Sequence, residues 1–212
     1  MRVYVAVAVI VLSAFSAAGA IAAPFTNGSF ELPVLPYNGR FENSIPADWQ
    51  TYASATCNPQ HLRYDDGSVY VPDGVQYGQM QVTTTYSWAG LRQTFDAVPG
   101  LTYNVAGWFR SLSGTAWARV GFDTAGGTTR PTNWLAELNN PSGATPWTQF
   151  SGQVTATGTS MTIFLDCEIA GSNNKAASFD GITIEPVPEP GSVIAVLTGL
   201  IGLGGLAVRR RR

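Results

Sequence analysis

Apolar and polar residues alternate along the middle of this chain, most regularly from residue 161 to residue 169. The apolar positions are Met161, Ile163, Leu165, Cys167 and Ile169, and the positions between them are Thr162, Phe164, Asp166 and Glu168. Successive side chains of a β-strand point to opposite faces of a sheet, whereas a helix repeats every ~3.6 residues. The segment therefore predicts a strand with one face in a core and a second face directed away from it.

The same period recurs and divides the chain into strands and turns. Further strands are predicted in residues 78–84, 90–95, 102–110, 117–123, 148–154 and 178–184. The 23 glycines and 13 prolines supply turns between them, for example at Asp73-Gly74 and Pro99-Gly100. Residues 132–139 predict one short helical turn instead. Many short strands at this spacing indicate an all-β fold, a β-sandwich of the jelly-roll type, over residues 23–186.

The first residues have the pattern of a secretory signal peptide. Met1-Arg2 provides a positive start, residues 3–12 are apolar, and small residues end at Ala20-Ile21-Ala22. Signal peptidase cuts after such a pattern, which predicts removal of residues 1–22 and export of the chain. An uncleaved membrane anchor is the alternative.

The last residues form a second targeting segment, residues 187–212. It consists of Pro188, Glu189 and Pro190, the uncharged residues 191–208, and Arg209, Arg210, Arg211 and Arg212. At ~1.5 Å per residue the uncharged part makes a helix of about 27 Å, enough to cross a hydrocarbon core. The arginines after it predict a cytoplasmic end, which leaves the preceding domain outside.

This tail resembles the PEP-CTERM sorting signal, in which the same motif, apolar helix and basic cluster follow in this order. The resemblance implies an exosortase, a membrane cysteine transpeptidase, as the partner that removes the tail. It also implies a Gram-negative host that makes extracellular polysaccharide. The chain would be anchored transiently in the inner membrane and then reach the cell surface or the extracellular matrix. An ordinary single-pass anchor is the alternative.

The middle of the chain resembles the galactose-binding-like jelly rolls, above all the carbohydrate-binding modules that accompany bacterial glycoside hydrolases. The segments that carry the resemblance are residues 27–31, 46–49, 90–95, 98–103, Trp147 and 179–182. The resemblance implies the jelly-roll fold and polysaccharide as a ligand.

Most catalytic arrangements are excluded by composition. His61 is the only histidine, and no G-x-S-x-G motif or glycine-rich phosphate loop occurs. Nucleic acid is excluded as well, because residues 23–190 hold six arginines, one lysine and all fourteen carboxylates, a formal charge of −7. One carboxylate pair, Asp166 and Glu168, would lie about 7 Å apart on a strand face, so glycoside cleavage stays open as a minor alternative.

The polar faces of the predicted strands suggest a binding surface. Its candidate residues are Trp108, Arg110, Trp117, Arg119, Phe164, Asp166 and Glu168. Flat aromatic rings suit the C–H faces of pyranose rings, and charged groups suit the hydroxyls. If these residues share one sheet face, they predict a ligand site; the alternative is that the tryptophans belong to the core.

Two further features have structural alternatives. In the resembled modules, a carboxylate after the opening Asn-Gly motif and an aspartate near the last strand hold a structural calcium ion. The matching residues here are Glu31 and Asp180, with Asp73 as a third; hydrogen bonds to backbone amides are the alternative. Cys57 and Cys167, the two cysteines, would be free to form a disulfide after export, or would remain separate buried thiols.

Together these features predict an exported, non-catalytic protein that binds extracellular polysaccharide through a sheet face. A structural or adhesive matrix protein, which recognises other proteins or itself, is the main alternative. A carbohydrate-active enzyme is the second.

Overall fold

A computed structural model describes residues 24–85, 87–112, 116–139, 143–171 and 174–187. The strands in these ranges are β1 (Gly39–Glu42), β2 (Gln50–Ala53), β3 (Cys57–Arg63), β4 (Gln76–Val82), β5 (Trp88–Asp96), β6 (Thr102–Ser111), β7 (Ala116–Asp123), β8 (Trp134–Asn139), β9 (Thr148–Thr155), β10 (Ser160–Ile169) and β11 (Lys175–Pro186). The signal peptide, the Pro-Glu-Pro motif, the apolar helix and the arginine cluster lie outside the described residues. Within those ranges, no helix has the length and hydropathy that a membrane-spanning segment needs.

The strands form two antiparallel sheets that pack face to face. The six-stranded sheet has the order β1-β3-β4-β11-β6-β9, and the five-stranded sheet has the order β2-β5-β10-β7-β8. Strands that follow one another in the chain lie in different sheets, except for the directly paired β3–β4 and β7–β8. The predicted all-β sandwich is confirmed.

The core lies between the sheets and is supplied by alternate residues, as the period of two predicts. Val105 and Phe109 of β6 and Ile163 and Leu165 of β10 are each at most 3% exposed. Burying one such side chain contributes about 1.5–3 kcal/mol. The alternation therefore fixes which face of each strand is inward, and with it which side chains are available for function.

Two expectations about individual strands are wrong. Residues 132–139 contain no helical turn: Trp134–Asn139 is the edge strand β8, paired with β7. The outward face of β10 is not open either, because Thr162, Phe164 and Asp166 are fully buried. β10 is the central strand of its sheet, and its outward residues are contacted by Tyr52 of β2 and by Arg130 of the loop after β7.

Candidate functional site

The candidate ligand residues divide between the two outer faces of the sandwich, so the expectation that they share one face is wrong. Trp117, Arg119, Phe164, Asp166 and Glu168 lie on β7 and β10 of the five-stranded sheet. Trp108 and Arg110 lie on β6 of the six-stranded sheet. The physical reason is the connection from β6 to β7, which crosses from one sheet to the other and which alternation within a strand does not reveal.

On the five-stranded sheet, the strand register lines up one row across all five strands. Tyr52, Gly90, Asp166, Arg119 and Glu137 are successive partners in β2, β5, β10, β7 and β8. Gly90 is needed there, since a Cβ at this position would lie 2.5 Å from the Tyr52 hydroxyl. The bare glycine lets Tyr52 reach over β5 and donate a 2.9 Å hydrogen bond to Asp166.

Three tryptophans stack against two arginines on this face. The guanidinium carbon of Arg119 lies 4.7 Å from the ring centroid of Trp117 and 5.5 Å from that of Trp134. The guanidinium carbon of Arg130, from the loop after β7, lies 4.8 Å from Trp88 and 4.9 Å from Trp134. We call Trp88, Trp117, Arg119, Arg130 and Trp134 the tryptophan–arginine face.

Carboxylates hold both guanidinium groups in place. Nε and Nη2 of Arg130 donate to the two oxygens of Asp166, each over 2.8 Å, and Nη2 also donates to Glu168. Arg119 donates to Glu168 and, over 2.8 Å, to Glu137. Two positive and three negative charges leave a net charge of −1. Arginines paired in this way are fixed in direction, so the tryptophans that they contact are fixed too.

The two buried members of the predicted set support the face and do not line it. Asp166 and Phe164 have no exposed surface. Phe164 packs edge-on against Tyr52, with ring centroids 5.2 Å apart. Burial raises the pKa of Asp166 above its ordinary value, although Arg130 favours the charged form.

Trp88, Arg130 and Trp134 were missed by the sequence analysis. Trp88 lies two residues before a predicted strand, and Trp134 lies in the segment predicted as a helical turn. If residues 134–139 are interpreted as a strand whose side chains alternate, Trp134 falls on one face of a sheet. Arg130 lies in a loop, and no pattern in the sequence indicates that it folds back across β10.

On the six-stranded sheet, Arg110 lies among aromatic rings. Its guanidinium carbon is 4.5 Å from the ring centroid of Trp147 and 5.0 Å from that of Tyr77, and Nη2 donates a 2.9 Å hydrogen bond to the Tyr77 hydroxyl. Tyr64 stacks on Tyr77 at 6.2 Å. Trp108 is half-buried two residues before Arg110 and pairs in register with Asp180.

Two of the three predicted calcium ligands, Glu31 and Asp180, accept hydrogen bonds from backbone amides. The amide of the third, Asp73, donates one of these bonds. Glu31 Oε1 accepts 2.7 Å bonds from the amides of Val75 and Gln76. Asp180 accepts 2.8 Å bonds from the amides of Asp73 and Gly181, one on each oxygen. Among the described residues, no group of three or more histidine, cysteine or acidic side chains is placed to hold a metal ion. These carboxylates as arranged fit the amide-bonding alternative, and calcium binding stays a prediction.

Burial raises the pKa of Asp180 to about 8, and Asp73 and Glu31 add to the effect. Cys57, half-buried in β3, and Cys167, fully buried in β10, are free thiols in this structure, which fits the alternative of two separate thiols. His61 is buried and its Nε2 lies 2.6 Å from the carbonyl oxygen of Phe30. It takes part in packing β3 against the N-terminal segment.

No protein-family model and no curated protein matches the chain. Solved structures match it in fold. The structure of TmCBM61 in complex with β-1,4-galactotriose superposes with a TM-score of 0.51 at 14% identity, over 77% of this chain and 97% of that one. The enzymatically active domain of bacteriophage CBA120 tailspike protein 4 gives 0.49 at 16% identity, over 77% of this chain and 21% of that one. The xylan-binding CBM22-1 domain of Paenibacillus barcinonensis Xyn10C gives 0.43 at 16%, over 66% and 86%. The superposition on the TmCBM61 structure shows that the domain shares the β-sandwich fold of that structure.

Proposed function

We propose that this protein binds neutral polysaccharide through the tryptophan–arginine face. The observation that carries the proposal is that Trp88, Trp117 and Trp134 are partly exposed and are held in place by two arginines, themselves fixed by carboxylates. Rigid aromatic rings present flat apolar surface to the C–H faces of sugar rings at little entropic cost.

The charge of this face favours a neutral ligand over an acidic one. Both guanidinium groups are already paired, and the rim carries Glu168 and Glu137, whose side chains are 31% and 41% exposed. An anionic polysaccharide would meet repulsion here, whereas hydroxyl groups would find carboxylate acceptors.

A cleft of about 350 Å³ continues this face beyond β7. It is lined by the end of β7 and by the loop that carries Arg130, including Thr129, Thr132 and Asn133. Hydroxyl and amide groups beside Arg130 suit the hydroxyls of a sugar unit that extends past Trp134.

The experiment is a binding titration of β-1,4-galactan, chosen because the TmCBM61 structure holds β-1,4-galactotriose, followed by an array of neutral glycans and the host's own exopolysaccharide. Trp117→Ala and Trp134→Ala should each weaken binding about tenfold or more, which corresponds to losing one stacked ring. Trp108→Ala, on the other sheet, is the matched control. The absence of binding to every neutral glycan would overturn the proposal.

We also propose a route of export, a location and a non-catalytic role for the protein, on the basis of its sequence. The protein is exported through its signal peptide, sorted by an exosortase that removes the PEP-CTERM tail, and retained at the cell surface or in the matrix. It is non-catalytic: an unchanged glycan pool after long incubation is expected, and product release that is lost in Glu168→Gln would contradict this. Concentration-dependent self-assembly without added glycan would favour the adhesive alternative.

Calcium binding by Glu31, Asp73 and Asp180 belongs to the same proposal. Millimolar affinities, about 0.1–1 mM, are common in extracellular modules. Calcium should raise the unfolding temperature of the parent protein and leave that of Asp180→Asn unchanged, with magnesium as the control ion. Equal unfolding temperatures of the parent protein with and without calcium would rule out the proposed calcium site.

A further inference from the structure

Arg110 lies on the face of the sandwich that the proposed function does not use. Its register partners Ser178, Gln79 and Gln60 continue the row across β11, β4 and β3. All three are buried. Ser178 donates to Gln79, and Gln79 donates to Gln60. The floor beside Arg110 is therefore polar and fixed by its own hydrogen bonds.

The positive charge of Arg110 has no carboxylate partner. The ion pairs of the described residues involve Arg40, Arg63, Arg119 and Arg130 but not Arg110. Its Nε–H group is buried and has no acceptor among those residues. Burial lowers the pKa of Arg110, and the nearby Tyr77 and Asp180 offset only part of this effect. Arg119 and Arg130 on the other sheet show the opposite arrangement, with two carboxylates each.

A half-buried guanidinium without a counter-charge is unfavourable, and aromatic contacts offset only part of the loss of water. An anionic group placed beside Arg110 would supply both the missing charge and an acceptor for its unused N–H groups. Carboxylate, with two oxygens in a plane, matches a guanidinium group in shape as well as in charge.

Two aromatic side chains contact the guanidinium group of Arg110: Tyr77, which is buried, and Trp147, which is partly exposed. Tyr77 packs edge-on against Trp147 with ring centroids 5.4 Å apart, and the Trp147 indole N–H donates a 2.9 Å hydrogen bond to the carbonyl oxygen of Tyr70. Tyr70 is 67% exposed. A cleft of about 350 Å³ runs along the loop before β4 and is bordered by Tyr64, Tyr70 and Asp65, whose carboxylate is paired with Arg63. Its volume lies at the small end of known ligand pockets.

We propose that this face, centred on Arg110, Tyr77 and Trp147, is a second ligand site that takes a carboxylate-bearing sugar, such as a uronic acid unit of an acidic polysaccharide. The partly exposed rings of Trp147 and Tyr64 contact the sugar ring. Arg110, held by its hydrogen bond to the buried Tyr77, pairs with the carboxylate. The site is independent of the tryptophan–arginine face, which lies on the other sheet and whose charges are already paired.

The test is the binding of polygalacturonate to the protein, compared with β-1,4-galactan as the neutral polymer and poly-L-glutamate as a carboxylate polymer without sugar rings. Arg110→Gln should weaken polygalacturonate binding about tenfold to hundredfold, the change that corresponds to one charge-assisted hydrogen bond. Arg110→Lys keeps the charge but loses the planar donor, and should give an intermediate loss. Arg92→Gln is the matched control, because the Arg92 Nε is also buried without a partner but lies on the five-stranded sheet.

Each result of this test either supports or overturns the proposed site. Polygalacturonate binding that depends on Arg110 and not on Arg92 supports the site. No binding by the parent protein, equal binding by Arg110→Gln, or equally tight binding of poly-L-glutamate overturns it. Nonspecific electrostatic attraction would not explain polygalacturonate binding, because the domain itself carries a net negative charge. Failure of β-1,4-galactan alone to bind bears on the proposed function and leaves this site standing.

Discussion

Arg130 and Asp166 are joined by two parallel 2.8 Å hydrogen bonds across a sequence separation of 36 residues. The pair ties the loop after β7 to the centre of the five-stranded sheet, where Asp166 is fully buried. It also places the guanidinium group between the rings of Trp88 and Trp134. This ion pair therefore holds in place the guanidinium group that Trp88 and Trp134 contact in the tryptophan–arginine face.

Replacing Arg130 should destabilise the fold as well as the face. Arg130→Gln leaves the buried carboxylate of Asp166 without its counter-charge, and we expect the free energy of unfolding to fall by about 3 kcal/mol. Urea-induced unfolding measures this. The control is Arg40→Gln, whose partner Glu42 is half-exposed like Arg40 itself, so that less than about 1 kcal/mol is expected. Equal losses in the two variants would contradict the account.

Asp180 should make stability fall as pH rises. The folded protein keeps the proton on Asp180 up to a pKa of about 8, because of burial first and of Asp73 and Glu31 next, whereas an unfolded aspartate releases it near pH ~4. Between these values the folded state binds more protons, so the free energy of unfolding decreases by at most about 1.4 kcal/mol per pH unit. Unfolding curves at intervals from about pH 4 to about pH 9 give the slope.

Asp180→Asn is the corresponding control, because an amide does not titrate in this range. Its stability should vary less with pH than that of the parent protein, whatever its absolute stability. Identical slopes for the two proteins would show that Asp180 is charged in the folded state.

Both cysteines should be free in the protein. Burial raises the pKa of Cys57 and of Cys167, which keeps both as unreactive thiols. We expect mass spectrometry after alkylation in denaturant, without reductant, to find two modified cysteines, and native protein to leave Cys167 unmodified. A mass lower by two hydrogen atoms, with no modification, would show that the disulfide left open by the sequence does form.

The strands were predictable from sequence because a half-buried strand alternates its side chains. The segments of β6 and β7 were predicted as strands, and the inward residues of β10 were predicted correctly. β8 was not, because an edge strand with half-exposed residues on both faces lacks a clear apolar stripe. Its strand conformation is determined by pairing with β7.

The site was less predictable because alternation says which way a side chain points but not which sheet it lies in. Trp108 and Trp117 are nine positions apart, yet they lie on opposite outer faces. The order of strands depends on long-range pairing, such as β10 between β5 and β7. Arg130 reaches the site only through tertiary contacts, which local sequence does not encode.

The affinities of Trp117→Ala and Trp108→Ala for a neutral polysaccharide, measured in the same titration, test whether the tryptophan–arginine face binds the ligand. Both variants remove a half-buried tryptophan, but only Trp117 belongs to the tryptophan–arginine face. We expect Trp117→Ala to lose affinity for the polysaccharide about tenfold or more, and Trp108→Ala to bind it like the parent protein. The reverse result, or equal binding by the two variants, would contradict it.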